Sequence, residues 1–292
     1  MPHTPTPFDA WATAYRRLLE TSIEQAGLAL PAQPSPAPTA SPGAPVCLVF
    51  SPHPDDEALV GGLALRLRQE SGWRVVNVAL TFGSRLERRA ERWTELQASC
   101  QVLGFDLMCA GEAPGMGLEG VRTADAAANT VLWQLAVRRI EALLDEYKPR
   151  VVICPHRLDG HTAHIATALL VEQALESSPA LSPHLLQSEY WNTQLEPRLM
   201  VALSDADVGR LMLATAMHAG EVSRQPYHLR LPAWLMDSAR RGAERVGGEG
   251  GTTSATAYAA LYGWRRRLRG AWVEMLPRVC PRSQAMGELF PG

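Results

Sequence analysis

The sequence contains few features of a membrane, secreted or nucleic-acid-binding protein. Its 292 residues include no apolar run long enough to cross a bilayer, and the polar, proline-containing start does not resemble a signal peptide. A formal net charge of −2 provides no basic surface for nucleic acid or anionic lipid. We therefore expect a cytoplasmic protein with no transmembrane segment and no nucleic-acid partner.

Cysteine is scarce, and glycine-rich phosphate loops are missing. The five cysteines are scattered, odd in number and mostly inside apolar runs, which predicts reduced core residues and no disulfides or thiolate zinc site. Neither G-x-G-x-x-G nor a P-loop follows the first predicted strand, so phosphate binding by glycines is not expected there. The hydrophobic fraction of 46% is that of an ordinary globular protein.

The chain is organised around the string SPHPDDE at residues 51–57. It follows the apolar run 46–50, which has the length of a strand buried on both faces, and it precedes a segment rich in helix formers. A loop in that position is where open α/β sheets place ligands. His53 and Asp56 can converge on one point there, with Asp55 beside it. An imidazole and a carboxylate supply two of the three protein ligands of an open zinc site.

A less specific interpretation has to be compared with this one. Asp56 or Glu57 could simply cap the following helix, and His53 could be an ordinary loop histidine. Each residue taken alone favours that interpretation. The complete string at a strand end favours a metal site, whose third protein ligand should lie elsewhere in the chain.

The rest of the chain predicts alternating strands and helices. An amphipathic helix over residues 8–30 and a proline-rich linker form an accessory segment, residues 1–45, ahead of a catalytic domain at residues 46–292. The alternation predicts an α/β fold with a mostly parallel sheet and helices on both faces. Strands are predicted at residues 46–50, 73–81, 105–109 and 150–154, and helices at 85–103, 126–147 and 162–176.

Beyond residue 180 the patterns are weaker. A strand is predicted within residues 185–192 and a helix at 204–219. Residues 110–125 and 242–251 are predicted as glycine-rich loops. Residues 255–273 are predicted as a helix with a basic, solvated face formed by Arg265, Arg266, Arg267 and Arg269.

A second group of histidines follows the strand predicted at residues 150–154. His161 and His164 are three residues apart at the start of a helix, so they project on the same side. His164 is the natural third metal ligand because the helix fixes its direction, and His161 is then free to act on substrate. Both histidine-bearing loops follow parallel strands, so they can meet at the carboxyl edge of the sheet.

Together these strings resemble the PIG-L / LmbE-like zinc deacetylases. That resemblance implies a Rossmann-like sheet and hydrolysis of the N-acetyl group of a glucosamine unit in a small molecule or glycoconjugate. The matching segments are HPDDE at 53–57, TFG at 81–83, RWTEL at 92–96, LG at 103–104, DGHTAH at 159–164, MH at 217–218 and YAALY at 258–262.

The resemblance also implies roles for the residues of the two loops. His53, Asp56 and His164 match the zinc ligands of the family. Asp55 matches the general base, and His161 the group that stabilises the oxyanion or protonates the leaving amine. A small amino-sugar is the implied partner; the oligomeric state is not predicted.

Three further residues are candidate substrate contacts. Arg92 matches a position that contacts the sugar or its aglycone. His218 faintly matches a position that touches substrate, although helix packing is an equally open role. Asp159, just before the histidine pair, is also a candidate, and it could instead support the first histidine of that pair or be only a loop residue.

Two positions depart from the family pattern. Ala163 stands where an acid usually lies between the two histidines, and Ser84 stands where an acid often follows Thr-x-Gly. The metal ligands are unaffected, but the substrate and the rate depend on these positions.

The chemistry also follows from the residues themselves. An acetamide resists hydrolysis because its carbonyl is weakly electrophilic and neutral water is a poor nucleophile. Zinc polarises the carbonyl and lowers the pKa of bound water to about 7. Asp55 can accept the proton, and His161, if protonated, can hold the oxyanion.

Two other functions stay open at this point. One is a zinc amidase that removes a larger acyl group or cuts a thiol conjugate of glucosamine, with the loops 110–125 and 242–251 setting the choice. The other is a non-catalytic glycan- or nucleotide-binding protein, which the missing acid at Ala163 favours. Metal analysis and an acetate-release assay separate these functions.

Overall fold

The computed structural model describes residues 6–20, 40–248, 255–268 and 270–291. Short 3₁₀ helices cover Leu86–Arg88 and Met286–Leu289. The α-helices are α1 (Pro7–Glu20), α2 (Asp56–Leu59), α3 (Gly62–Ser71), α4 (Arg89–Leu103), α5 (Thr123–Ala128), α6 (Val131–Tyr147), α7 (Thr162–Ser177), α8 (Asp205–Ala216), α9 (Ala219–Val222) and α10 (Tyr227–Arg245). The strands are β1 (Val46–Ser51), β2 (Arg74–Ala79), β3 (Asp106–Cys109), β4 (Val151–Pro155), β5 (His184–Ser188), β6 (Leu199–Leu203), β7 (Tyr258–Leu268), β8 (Ala271–Glu274) and β9 (Arg278–Cys280).

Within the described ranges the strands form one sheet in the order β3-β2-β1-β4-β5-β7-β6-β9, with β8 paired to β7. Strands β1 to β5 pair in parallel with one another, and β7 runs antiparallel to both β5 and β6. The sheet is therefore mostly parallel, as the alternation of strands and helices predicts.

Helices cover both faces of this sheet. On β1, Cys47 and Val49 pack into a cluster that includes residues of α3, α4 and α8, whereas Leu48 and Phe50 pack into a second cluster with α6 and α7. Alternate residues of the strand thus enter opposite cores, which is why the run 46–50 is continuously apolar. The predicted α/β class with helices on both faces is confirmed.

The direction of chain winding reverses beside β1. From β1 the chain builds β2 and β3 on one side and then crosses to β4 on the other side. Loops that follow β1 and β4 diverge in opposite directions and leave a crevice between them at the carboxyl edge of the sheet. The two histidine-bearing loops follow these two strands, so the topology brings them together.

The prediction of a helix over residues 255–273 is wrong. Residues 258–268 form β7, and 271–274 form β8. Both faces of β7 are buried at its start, so its sequence shows an unbroken apolar run that a buried helix would share. The predicted solvated face is also wrong for Arg265, which pairs with the buried Glu172; Arg269 lies outside the described residues.

The loop predicted at residues 242–251 is partly wrong. Helix α10 continues to Arg245, so Gly242 is helical and buried, while residues 249–251 lie outside the described ranges. A Cβ on Gly242 would approach Met200 Sδ to 2.7 Å and Leu261 Cδ2 to 2.8 Å. Glycine there allows the helix to lie close against the sheet.

The N-terminal helix is shorter in the described part than its predicted range of 8–30. Helix α1 is described over Pro7–Glu20, and residues 21–39, which include most of the predicted linker, lie outside the described ranges. Tyr15 Oη lies 3.8 Å from Met236 Sδ of α10, while Phe8, Trp11 and Leu18 are exposed. The division at residue 45 stays a prediction.

Two predictions from composition can be compared with this structure. All five cysteines are free and buried, as their positions in apolar runs predict. Among the described residues, no helix combines the length and the apolar character that crossing a membrane requires.

Candidate metal centre and active site

The turn after β1 presents the first string in a constrained conformation. Asp55 has φ 116° and ψ −28°, a left-handed conformation that non-glycine residues rarely adopt. The backbone N–H of Asp55 donates to Glu57 Oε2 at 3.0 Å, and the Asp55 carbonyl accepts from Ala58 N and Leu59 N. These bonds hold the strained turn and start α2 directly at Asp56.

Glu57 belongs to a buried polar network that sequence reasoning did not identify. Its Oε1 accepts from Ser99 Oγ at 2.5 Å and contacts His218 Nε2 at 2.7 Å. Glu57, Ser99 and His218 are all fully buried. The network therefore connects the turn of Asp55 to α4 and to the end of α8. Its signals in the sequence are the third acid of the string at residues 53–57 and His218, but their contact is not evident from either.

The loop after β4 brings the second histidine pair to the same edge. His161 is the N-cap of α7, and its Nδ1 accepts from the backbone N–H of Ala163 at 3.2 Å. Because that nitrogen accepts, the proton of the neutral ring lies on Nε2. His164, one turn into the helix, is completely buried.

The imidazole rings of His53, His161 and His164 lie close together at the carboxyl edge of the sheet. The ring centroid of His53 lies 5.0 Å from that of His161 and 5.4 Å from that of His164. Asp56 Oδ2 lies 3.5 Å from His53 Nδ1 and 3.4 Å from His164 Nε2. The predicted residues of both loops thus come together at one point.

The unpaired atoms at this point fit a cation. Asp56 Oδ1 and His164 Nε2 are buried and have no hydrogen-bond partner among the described residues, which is costly unless a ligand satisfies them. Burial opposes ionisation of Asp56, but His164 and His53 outweigh it and hold the pKa of Asp56 below its ordinary value. An ionised carboxylate between two imidazoles is the donor set that zinc prefers.

Two sets of three ligands are geometrically available. Ring nitrogens of His53, His161 and His164 lie within 4.8 Å of one another, so His161 could replace Asp56 in the set. The tautomer of His161 favours Asp56, because a protonated Nε2 has no lone pair for a metal.

The pKa of His161 is lower than its ordinary value. Burial is the main cause, and the neighbouring imidazoles of His53 and His164 add to it. The lowered pKa favours the neutral form of His161, whereas the sequence lets His161 hold the oxyanion if it is protonated. A neutral ring can still donate one hydrogen bond from Nε2 to a carbonyl oxygen.

Asp55 lies in a strongly negative environment. Burial, with the carboxylates of Asp56 and Glu57, raises the pKa of Asp55 well above its ordinary value, and Arg92 opposes the rise. Three neighbouring buried carboxyl groups are most stable when a cation compensates them. The acids of this turn therefore provide a second argument for a cation.

Asp159 and His218 do not lie where a substrate contact is expected. Asp159 is buried, accepts from the backbone N–H groups of His161 and Trp191, and places Oδ2 3.5 Å from His164 Nδ1. Its carboxylate faces the second histidine of the pair, not the ring of the first. His218 is fully buried against Glu57. Both positions disagree with a direct contact to substrate.

Arg92, in contrast, lines a cavity of about 560 Å³ that also borders His53 and His161. Its Nη1 donates to the Phe82 carbonyl at 3.0 Å, and its Nη2 lies 3.3 Å from Glu221 Oε1. Gly83, with φ +83°, makes this possible, because a Cβ there would approach Arg92 Nη1 to 2.5 Å.

Two aromatic residues lie beside the histidines: Tyr190, which the sequence does not single out, and Trp191, for which, as for Trp264, the sequence leaves a core role and a sugar-stacking role open. The Tyr190 ring lies 4.8 Å from the ring of His164, and Trp191 stacks on His161 at 6.1 Å. Trp191 is 53% exposed, so its outer face is open to a ligand. Trp264, by comparison, is a core residue whose Nε1 donates to His184.

Comparison with known proteins agrees with this geometry. A family model described as PIG-L: GlcNAc-PI de-N-acetylase matches residues 48–175. That segment runs from β1 into α7 and contains both histidine-bearing loops and Arg92.

Solved structures with a similar fold come from proteins of different activities. The conserved protein TT1542 from Thermus thermophilus has 20% identity and a TM-score of 0.54 over 82% of this chain and 97% of that one. A deacetylase of the teicoplanin biosynthesis pathway has 16% identity and a TM-score of 0.54, with 79% and 98% covered. GalB, the 4-carboxy-2-hydroxymuconate hydratase from Pseudomonas putida, has 18% identity and a TM-score of 0.53, with 82% and 99% covered.

At these identities the structural similarity concerns the fold, and a deacetylase and a hydratase share it. The comparison that bears on family therefore concerns residues 48–175 and the two strings that they contain. That segment matches the PIG-L family model and carries every residue of the candidate metal centre.

Proposed function

We propose that the protein is a zinc-dependent hydrolase that removes the N-acetyl group from an N-acetylglucosamine-containing small molecule or glycoconjugate. One observation carries this proposal: His53, Asp56 and His164 converge beside a cavity, with buried polar atoms that lack partners among the described residues. The name of the matched family, a de-N-acetylase, supports the reaction class.

His53, Asp56 and His164 would hold the metal. Zinc bound there supplies polarisation of the amide carbonyl and a lower pKa for water. Asp159 would orient His164 by accepting from its Nδ1, which leaves the Nε2 lone pair directed at the metal position.

Asp55 and His161 would carry the proton and the developing charge. Asp55 takes a proton from the attacking water and returns it to the nitrogen of the leaving amine, so that acetate and a free amine result. His161 donates from Nε2 to the amide oxygen as negative charge develops on it. A neutral His161 favours oxyanion stabilisation over protonation of the amine.

Replacement of the base provides the test. Asp55→Asn is the suitable variant because asparagine tolerates the left-handed conformation of this position. We expect acetate release from N-acetylglucosaminides to fall by about 100-fold or more, with the zinc content unchanged. Acetate is measured enzymatically, and zinc by mass spectrometry, on the same preparations.

Asp145→Asn, on the exposed part of α6, is the matched control and should retain full turnover. Normal turnover in Asp55→Asn would show that Asp55 is not the general base. If no N-acetylglucosaminide releases acetate, but N-butyryl or longer acyl analogues are cleaved, the protein is the larger-acyl amidase instead. Binding of these glycans with no release of any acid would identify a non-catalytic binder.

A further inference from the structure

One group of buried polar residues has no part in the proposed chemistry. Glu57, Ser99 and His218 are completely buried, and none of them lines the cavity that borders the histidine-bearing loops. A glutamate is almost never fully buried unless it is paired, and here all three side chains meet beside the turn that carries Asp55. Any role of these side chains in the reaction is therefore one that they perform through another residue.

The carboxylate of Glu57 is fixed by three donors. Its Oε1 accepts from Ser99 Oγ at 2.5 Å and from His218 Nε2 at 2.7 Å, and its Oε2 accepts from the backbone N–H of Asp55 at 3.0 Å. Three of its acceptor positions are thus occupied, which leaves the carboxylate little freedom to rotate. Glu57 joins His218 and Ser99 on one oxygen to the backbone of Asp55 on the other.

The two side-chain donors are themselves held by helices outside the loop. Ser99 lies within α4, and His218 lies between α8 and α9, where its backbone N–H donates to the Thr215 carbonyl at 3.1 Å. The backbone N–H of Gly220 in α9 donates to Glu95 Oε1 of α4 at 2.8 Å, so the two supporting segments are also joined to each other. Glu57 therefore has a rigid support on the side away from the turn.

The conformation of Asp55 depends on this support. Its φ of 116° costs free energy in a residue that has a Cβ, and such a conformation persists only where neighbouring contacts hold it. The first bonds of α2 hold its carbonyl, and Glu57 holds its N–H. A rotation of the backbone here would also turn the side chain, because φ and ψ determine where Cβ points. The position of the Asp55 carboxylate is therefore linked to Glu57.

We propose that His218 and Ser99 are positioning residues for the general base: through Glu57, they hold Asp55 in the conformation that sets the direction of its carboxylate. The inference rests on the proposed function, because it takes Asp55 as the base of that reaction. It gives a role to His218, which is buried too deeply to contact a substrate. A base has to reach the attacking water within hydrogen-bond distance, and a displacement of about 1 Å lowers the rate by about 100-fold.

Two substitutions of His218 test the positioning role. His218→Leu removes the donor to Glu57, whereas His218→Gln keeps an N–H donor. In His218→Leu we expect kcat for acetate release to fall by about 100-fold, with KM and the zinc content per chain unchanged, and His218→Gln should recover most of this loss. An unchanged kcat in His218→Leu overturns the inference. A loss of zinc that matches the loss of kcat also overturns it, because the network would then support the metal site and not the base.

Asp207→Ala is the matched control for a general loss of stability. Asp207 is also buried, but it belongs to the capping box at the opposite end of α8, where its Oδ2 accepts from the Ser204 N–H at 2.8 Å. The substitution should lower the midpoint of thermal unfolding and leave kcat per zinc-loaded chain unchanged. A fall in kcat of the same size as in His218→Leu would show that reduced stability causes both losses, which overturns the positioning role.

Hydrogen exchange keeps the inference separate from the proposed function. Exchange of the Asp55 amide proton is followed by NMR in the zinc-loaded wild type and variants without any substrate. It should be about tenfold or more faster in His218→Leu, while Asp207→Ala should retain the wild-type rate. This result supports the positioning role even if no glycan releases acetate. Unchanged exchange in His218→Leu, together with normal release of acetate by that variant, overturns the inference while the proposed function stands.

Discussion

At the scale of single residues, the ring of His164 is supported from behind by a buried carboxylate. Asp159 Oδ2 lies 3.5 Å from His164 Nδ1, and both residues are fully buried at their side chains. Burial works against a charge on His164, but Asp56 and Asp159 raise its pKa. A histidine that binds a metal commonly donates its second N–H to such a carboxylate, which fixes the ring and increases its basicity.

Asp159→Asn should weaken zinc binding by about 10- to 100-fold, because a neutral amide accepts the hydrogen bond from His164 Nδ1 less strongly than a carboxylate does. Zinc affinity is measured by competition with a chromophoric chelator at neutral pH. Asp145→Asn is again the control, since it removes one exposed carboxylate far from the histidines in sequence. An affinity for zinc equal to that of the wild type in Asp159→Asn would mean that Asp159 serves only its two backbone N–H partners.

Short strings in the sequence indicate which candidate residues come together. His53 and Asp56 could be proposed because they follow β1 closely, and His164 because it lies at the start of the helix after β4. The partner of Asp159 could not be predicted, since it depends on side-chain directions at the start of α7. The contact of Glu57 with His218 joins residues far apart in sequence, and no local pattern predicts it.

At the scale of elements, one buried acid connects α7 to the sheet. Glu172 is 1% exposed; its Oε1 accepts from Arg265 Nη2 at 2.5 Å and from Gln187 Nε2 at 2.9 Å, and its Oε2 pairs with Arg157. These partners lie on β7, on β5 and in the loop before α7. Helix α7 carries His164, so the network also helps to position the metal ligand.

Glu172→Ala should lower the free energy of unfolding by about 3–5 kcal/mol, because removal of one partner leaves a partly buried arginine without its carboxylate. Urea denaturation followed by circular dichroism measures the change. Glu176→Ala, one turn later on the exposed side of the same helix, should change stability by much less. Equal effects of the two substitutions would indicate that the network contributes nothing beyond helix propensity.

The predictability of elements differs between the two halves of the chain. In β1 to β4 each strand is a short apolar run bounded by glycine, proline or charge, so its position is evident. In the second half, β7 contains three consecutive arginines, and α10 contains Pro232, which normally interrupts a helix. Pairing with β5 and β6 determines β7, and such long-range contacts are not encoded in a local period.

At the scale of the whole molecule, a buried histidine makes stability depend on pH. His184 is 2% exposed at the start of β5, where Trp264 Nε1 donates to its Nδ1 at 3.1 Å and Phe290 packs against its ring. Burial, with the positive charges of Arg266 and Arg150, lowers the pKa of His184 to about 4. Below the ordinary pKa of about 6.5, the unfolded chain binds a proton that the folded protein does not.

The lowered pKa of His184 therefore reduces the stability of the folded protein only at acidic pH. His184 has no effect on stability above pH 6.5, and its contribution becomes unfavourable as pH falls from 6.5 to 4. Between pH 7 and pH 5 the free energy of unfolding should decrease by about 2 kcal/mol through this residue. Urea denaturation at the two pH values should show a smaller decrease in His184→Gln. The same decrease in both proteins would contradict the shift.

One cation held by His53, Asp56 and His164 is central to the proposed function. The most direct measurement is the zinc content per chain, by mass spectrometry after equilibration with zinc and removal of the excess, for the wild type and for His164→Gln. We predict one zinc ion per wild-type chain and almost none in the variant, with the same circular dichroism spectrum for both. A wild-type chain that retains no zinc, or a variant that retains as much as the wild type, contradicts the account.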